Sequence, residues 1–147
     1  MIETLKMLDP HNLLAQVHPD LVKVITTSSQ APQAFQVVYG IRTLAAEAQA
    51  VAEGHSQTMH SRHLPDPKYN NLSMAVDVGV FIGGKYIGDG PDVPSLYTAV
   101  SEQVLHAAEQ AGVKVQWGGQ AVGAWIDGVT SHFRDWGHFQ LDPSEYP

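Results

Sequence analysis

Apolar residues recur at three- and four-residue steps early in the chain: Leu13, Leu14, Val17, Leu21, Val24 and Ile25. That spacing places them on one face of a helix and predicts a helical stretch from about His11 to Thr27. Pro19 falls inside it and removes a backbone donor, so the stretch is either kinked or split into two shorter helices. Phe35-Gln36-Val37-Val38-Tyr39 is rich in strand formers and closes on Gly40, which predicts a strand. Thr43 is placed to cap a helix from Leu44 to about Glu53, with Gly54 as its stop. From His55 to Ser73 the chain is polar and punctuated by Pro and Asn, a long loop of the kind usually tied to function. Met74 to Ile82 reads as a strand, Gly83-Gly84 as a hairpin turn, and Lys85-Tyr86-Ile87 as the returning strand. After a loop from Pro91 to Pro94, Ser95 is expected to cap a helix to about Gln110. Leu96, Val100, Val104, Leu105 and Ala108 share its face, and Gly112 ends it. Val113–Trp117 and His138–Leu141 read as the last two strands. Hairpins mixed with helices predict an α+β fold, a small antiparallel sheet with helices packed beside it, in one domain spanning residues 1–147.

Composition narrows the possible functions. The chain has 147 residues, enough for one substantial core. Its formal net charge is −7, with only eight Lys and Arg. A nucleic-acid partner needs a basic face to neutralise phosphate, so none is expected. No run approaches the length of a membrane-spanning helix, so no membrane insertion is expected. Met1-Ile2-Glu3-Thr4-Leu5-Lys6 is not followed by an apolar stretch. The chain is therefore expected to be made in the cytoplasm without a signal peptide. Cysteine is absent, which leaves His and carboxylate as the groups that could hold a metal ion.

A zinc hydrolase needs three such ligands, an open fourth position and a nearby base, all on rigid supports. Three places supply the groups. One is Ser61-Arg62-His63. Another is Ala75-Val76-Asp77-Val78, a carboxylate within an apolar strand. The third is Asp135-Trp136-Gly137-His138, with acid and imidazole three residues apart. Asp77 is expensive to bury unless paired or bound to a cation, but a two-residue period equally allows it to face solvent.

These pieces resemble the zinc D-alanyl-D-alanine carboxypeptidase superfamily, and most nearly the phage endolysins that are L-alanyl-D-glutamate endopeptidases. That family shows Ser-x-His, then Gly-x-Ala-x-Asp, then a carboxylate followed three residues later by His. Here the counterparts are Ser61-Arg62-His63, Ser73-Met74-Ala75-Val76-Asp77 and Asp135-Trp136-Gly137-His138. The likeness extends to Gly40-Ile41-Arg42-Thr43 and to Val115-Gln116-Trp117-Gly118-Gly119, in family order. The interval between His63 and Asp77 exceeds the family's usual one, and Ser73 replaces its glycine, which reads as an insertion at the mouth of the site.

The resemblance implies Zn2+ held by His63, Asp77 and His138. It implies Asp135 as the carboxylate that takes a proton from the attacking water and passes it to the leaving amine. Arg42 matches an arginine that binds substrate or stabilises the oxyanion, a task suited to a guanidinium fork. Ser61 and Trp136 are further expected contacts to substrate. The implied activity is hydrolysis of the L-Ala–D-Glu bond of bacterial wall peptide, by an enzyme that reaches the wall through a holin or similar pore; the sequence leaves the oligomeric state open, with a monomer favoured. Two alternatives remain: a D-Ala–D-Ala carboxypeptidase or dipeptidase with the same metal centre, and a non-catalytic zinc-stabilised wall-binding or virion domain. His55, His60, His132 and Arg134 read as solvated loop residues. Trp117 reads as core. Asp89 and Asp92 lack the spacing of a calcium loop.

Overall fold

A computed structural model describes residues 7–29, 32–54, 62–119 and 135–147. The amphipathic N-terminal stretch divides at Pro19, as its pattern allowed. A 3₁₀ turn covers Leu13–Gln16 and an α-helix, α1, covers Pro19–Ser28. Proline sits in the first turn of α1, where its missing N–H is not needed. The His18 ring caps the helix by accepting from the Asp20 N–H. The second helix, α2, runs Leu44–Ala52 with Thr43 Oγ1 accepting from the Ala46 N–H. The third, α3, runs Val93–Ala111 and ends on Gly112 in the left-handed region at φ 71°. It begins three residues earlier than a cap at Ser95 implies. Asp92 stands at the cap and Pro94 fits within the first turn, while Ser95 Oγ bonds back to the Asp92 carbonyl.

The strands are β1 (Gln36–Tyr39), β2 (Ala75–Ile82), β3 (Lys85–Ile87), β4 (Val115–Trp117) and β5 (His138–Leu141). They form one antiparallel sheet in the order β1-β2-β5-β4, with β3 paired to the far end of β2. Gly83 and Gly84, at φ 59° and 78°, make the tight turn between β2 and β3; positive φ at both centres matches the strands' twist.

Alternation along the strands separates two faces. Val76, Val78 and Val80 of β2, Val37 of β1 and Phe139 and Leu141 of β5 are buried toward the helices. There they meet Leu21, Val24 and Ile25 of α1 and Tyr97, Val100 and Val104 of α3 in one core. Full burial of each aliphatic side chain stabilises the fold by about 1.5–3 kcal/mol. The Tyr97 hydroxyl donates to the Ile87 carbonyl at 2.6 Å and accepts from the Val80 N–H at 3.1 Å, tying the hairpin to α3. Among the described residues, no helix is long and apolar enough to cross a membrane.

The long loop ends in compact structure. Residues Pro67–Tyr69 form a 3₁₀ turn capped by the Asp66 carboxylate, and Asn70 and Asn71 take left-handed φ values of 57° and 59°. Asp66 and Leu72 then pair as an isolated bridge. Tyr69 packs on His18 and Tyr146. The described contacts of Tyr69 in this segment lean on the start of α1 and the C-terminal tail.

Candidate active site

The other face of the sheet carries the chemistry. Asp77 points away from the core on β2, between Tyr39 on β1 and His138 on β5, its cross-strand partners. His63 is brought in by two backbone bonds: the Arg42 N–H donates to the His63 carbonyl at 2.8 Å, and the Met74 N–H to the Arg62 carbonyl at 2.9 Å. Gly137 lets β5 begin against β2. Its carbonyl accepts from the Val78 N–H at 2.8 Å, and a Cβ at that position would run into the Val78 carbonyl oxygen.

Three donor atoms meet here. Asp77 Oδ1 lies 3.0 Å from His138 Nδ1 and 3.2 Å from His63 Nε2, and the two ring nitrogens lie 3.2 Å apart. Both histidines are buried. The far nitrogen of each ring is committed elsewhere. His63 Nδ1 faces the Gly40 carbonyl at 2.7 Å, and His138 Nε2 faces Gln140 Oε1 at 2.8 Å. Both of those oxygens accept, so both far nitrogens carry hydrogen. In the neutral tautomers the remaining lone pairs then aim at one another and at a carboxylate oxygen. Such an arrangement needs positive charge at its centre, whether a metal ion or an added proton.

Electrostatics agree. Burial works against ionisation of Asp77, yet the His63 and His138 rings hold its carboxyl well below the usual carboxylate range. Burial likewise opposes the imidazolium of His138, but its bond to Asp77 wins and pushes it up to about 9. The donor set also fits zinc by size. Tetrahedral ligands about 2.0–2.1 Å from the ion stand roughly 3.3–3.4 Å apart, close to the separations found. His63, Asp77 and His138 could thus hold a metal ion.

Asp135 stands beside this group, with Oδ2 3.8 Å from His138 Nδ1. Its N–H donates to the Gly118 carbonyl at 3.0 Å, which fixes the residue beside the end of β4. Burial first, and then the Asp77 charge, push its carboxyl up to about 6. The histidines and Arg42 pull the other way, so Arg42 is close enough for its charge to be felt. Trp136 is half-buried, its ring 6.0 Å from that of Trp117, whose indole N–H donates to the Trp136 carbonyl at 2.7 Å. Trp117 is core, as its position at a strand end indicated. Ser61 lies outside the described residues, as do His55, His60, Trp125, His132 and Arg134.

With this geometry in view, comparison with known proteins is informative. The sequence model of the phage L-alanyl-D-glutamate peptidase family matches residues 8–142. The L-alanyl-D-glutamate peptidase of Escherichia phage T5 is 32% identical over 133 residues, covering 87% of this chain and 90% of that protein. The chain belongs to the phage L-alanyl-D-glutamate peptidase family. The crystal structure of the Serratia marcescens L-Ala D-Glu endopeptidase ChiX is similar throughout. Its TM-score is 0.72 at 30% identity, and the match covers 100% of this chain and 99% of that one.

Four residues of the peptidase's site were not picked out from sequence. Glu47 of α2 is fully buried and accepts from Arg42 Nη1 at 2.7 Å. Tyr39 lies under Arg42, with the guanidinium carbon 4.5 Å from its ring centre and its hydroxyl 3.2 Å from Arg42 Nε. Its ring also meets His63 edge-on at 5.5 Å. Gln140 and Gln116 stand behind His138. Glu47 stands four positions after the Thr43 cap, one beyond the place a capping box would give an acid, so no local pattern singled it out. Its carboxylate turns instead to Arg42.

Removing one partner of a buried pair leaves the other charge uncompensated, at about 3–5 kcal/mol. Glu47→Ala is therefore expected to lower unfolding free energy by about 3 kcal/mol, the low end, because Arg42 keeps some contact with water. Denaturant unfolding measures this; a change within about 0.5 kcal/mol, ordinary for a surface substitution, would mean the pair contributes nothing.

Proposed function

We propose that this peptidase hydrolyses the L-alanyl–D-glutamate bond of bacterial wall peptide, with Zn2+ held by His63, Asp77 and His138 and Asp135 as general base. The observation that carries the reading is the convergence of three metal-type donor atoms within 3.2 Å of one another, with the Asp135 carboxyl, pushed up by burial and the Asp77 charge, beside them. The names of the phage T5 and Serratia relatives supply the bond.

When bound, a zinc ion supplies acidification of a water and polarisation of the scissile carbonyl. The remaining work falls to the chain. Asp135, with a carboxyl near 6, is suited to hold a proton taken from the attacking water at a carboxylate oxygen. It then gives the proton to the departing amide nitrogen, which becomes the amino group of the D-Glu product. A base with a pKa near working pH can perform both transfers. Arg42, braced by Glu47 and Tyr39, presents a fixed guanidinium to an oxygen gaining charge or to a carboxylate on the peptide. Ser61 and Trp136 flank this machinery in sequence and are assigned contacts to substrate. The same reading takes a single domain working as a monomer, made in the cytoplasm and released to the wall through a holin-type pore.

Digestion of purified peptidoglycan, with termini identified by mass spectrometry, tests the bond. New amino ends on D-Glu support the reading, and released D-Ala points instead to a carboxypeptidase or dipeptidase. Zinc retention without any hydrolysis would point to a binding domain. Elemental analysis before and after chelation tests the ion, since a two-His, one-carboxylate site also accepts other divalent metals. Arg42→Lys keeps the charge but loses the fork. It is expected to lower kcat about a hundredfold to a thousandfold, on the scale of losing an oxyanion donor, with metal content unchanged. Undiminished turnover would remove Arg42 from the mechanism.

A further inference from the structure

The reaction outlined above uses neither Gln116 nor Gln140, yet both are buried within the sheet. A buried amide is costly unless its polar atoms are paired, and apolar side chains would pack there without that demand. The pairing has a direction. Gln140 Nε2 donates to Gln116 Oε1 at 2.9 Å, which turns Gln140 Oε1 toward His138 Nε2 at 2.8 Å. An amide oxygen only accepts, so His138 Nε2 carries the hydrogen. Its Nδ1 is then the nitrogen presented to Asp77 and His63.

The sheet makes this alignment by register. His138 and Gln140 share one face of β5, while Phe139 between them enters the core. Gln116 is the cross-strand partner of Gln140 on β4, and Ala75 is its partner on β2. A small residue at 75 leaves room for the amide.

We infer that Gln140, locked in orientation by Gln116, is a positioning residue that commits His138 Nε2 as a donor and presents Nδ1 as the ligating nitrogen. This inference rests on the metal-centre reading. Without the amide oxygen the ring loses the partner that orients it, and a proton on Nδ1 bonded to the Asp77 carboxylate competes with the ion for the same lone pair. Partners of this kind behind ligating histidines typically govern a 10–100-fold range of metal affinity.

The test uses the full chain and zinc itself. Affinity is measured by competition with a chromophoric chelator, and the His138 ring is followed by 1H–15N correlation in the zinc-loaded protein. Gln140→Met, similar in length but without an acceptor, is expected to bind zinc about 10–100-fold more weakly. It should also lose the slowly exchanging, downfield Nε2–H resonance. Gln140→Glu keeps the acceptor and should restore both, with the Gln116 amide turned to donate. Gln116→Met frees the Gln140 amide and should fall between. Wild-type affinity with an unchanged Nε2–H signal in Gln140→Met overturns the inference. So does a Gln140→Glu protein as weak as Gln140→Met, because packing alone would then explain the loss. If Gln140→Met does not fold, Gln116→Met carries the same two readouts: a partial loss supports the assignment and no change refutes it. A wild-type chain that binds no zinc defeats the metal-centre reading itself. The Nε2–H resonance of the metal-free protein, present in wild type and lost in Gln140→Met, would still establish which atom Gln140 holds.

Discussion

Asp77→Ala protein is expected to purify without stoichiometric zinc and to leave peptidoglycan intact. Asp77 is the hub of the three-donor group: its Oδ1 lies 3.0 Å from one imidazole and 3.2 Å from the other. It also supplies the only formal negative charge among the three proposed ligands. Two neutral imidazoles would remain, and Asp135 is the nearest replacement acid, with its carboxylate oxygen 3.8 Å from His138 Nδ1. Recruiting it to the ion would use up the proposed base. Lewis-acid assistance is worth several kcal/mol, and each 1.4 kcal/mol is a factor of ten, so activity should fall at least about a thousandfold. Elemental analysis together with release of soluble wall peptide measures both effects. Stoichiometric zinc in a fully active Asp77→Ala protein would show that the ion is held elsewhere.

Asp135→Asn should separate binding from chemistry. The amide keeps the shape of the carboxyl but cannot take a proton, so zinc content and unfolding midpoint should stay near wild type. Turnover should drop about 10²–10⁴-fold, the usual contribution of a positioned general base. The burial and negative neighbour that raise its carboxyl are features expected of a group that must hold a proton and then release it. Steady-state cleavage of a defined wall peptide, with zinc measured on the same sample, distinguishes the outcomes. Wild-type kcat would remove Asp135 from the reaction. Loss of zinc alongside loss of activity would instead make it a ligand.

Much of the fold that surrounds the candidate site is legible in the sequence. The amphipathic stretch around Pro19, the Thr43 cap and the Gly83-Gly84 turn each rest on local chemistry, and each is found where local chemistry puts it. The start of α3 differed because Asp92, Pro94 and Ser95 all make credible first-turn residues, and a helix can begin at any of several adjacent positions. The insertion after His63 was visible as extra length. Where it leans depends on Tyr69 finding His18 and Tyr146, contacts spanning most of the chain. Asp77 was ambiguous by period alone. The register that sets it opposite His138 resolves it.

The identities and order of the donors, and the absence of thiolates, are properties of the sequence, because residue type alone decides which side chains can ligate a hard or borderline cation. Which nitrogen each histidine offers is a property of the tertiary structure. That choice is made by an acceptor on the opposite side of each ring. For His63 the acceptor is the Gly40 carbonyl, reached across twenty-three positions of chain. For His138 it is the Gln140 amide, held by Gln116 on the neighbouring strand. The Gly40–His63 and Gln116–Gln140 pairings join distant segments and arise only when the sheet closes, so no local pattern can encode them.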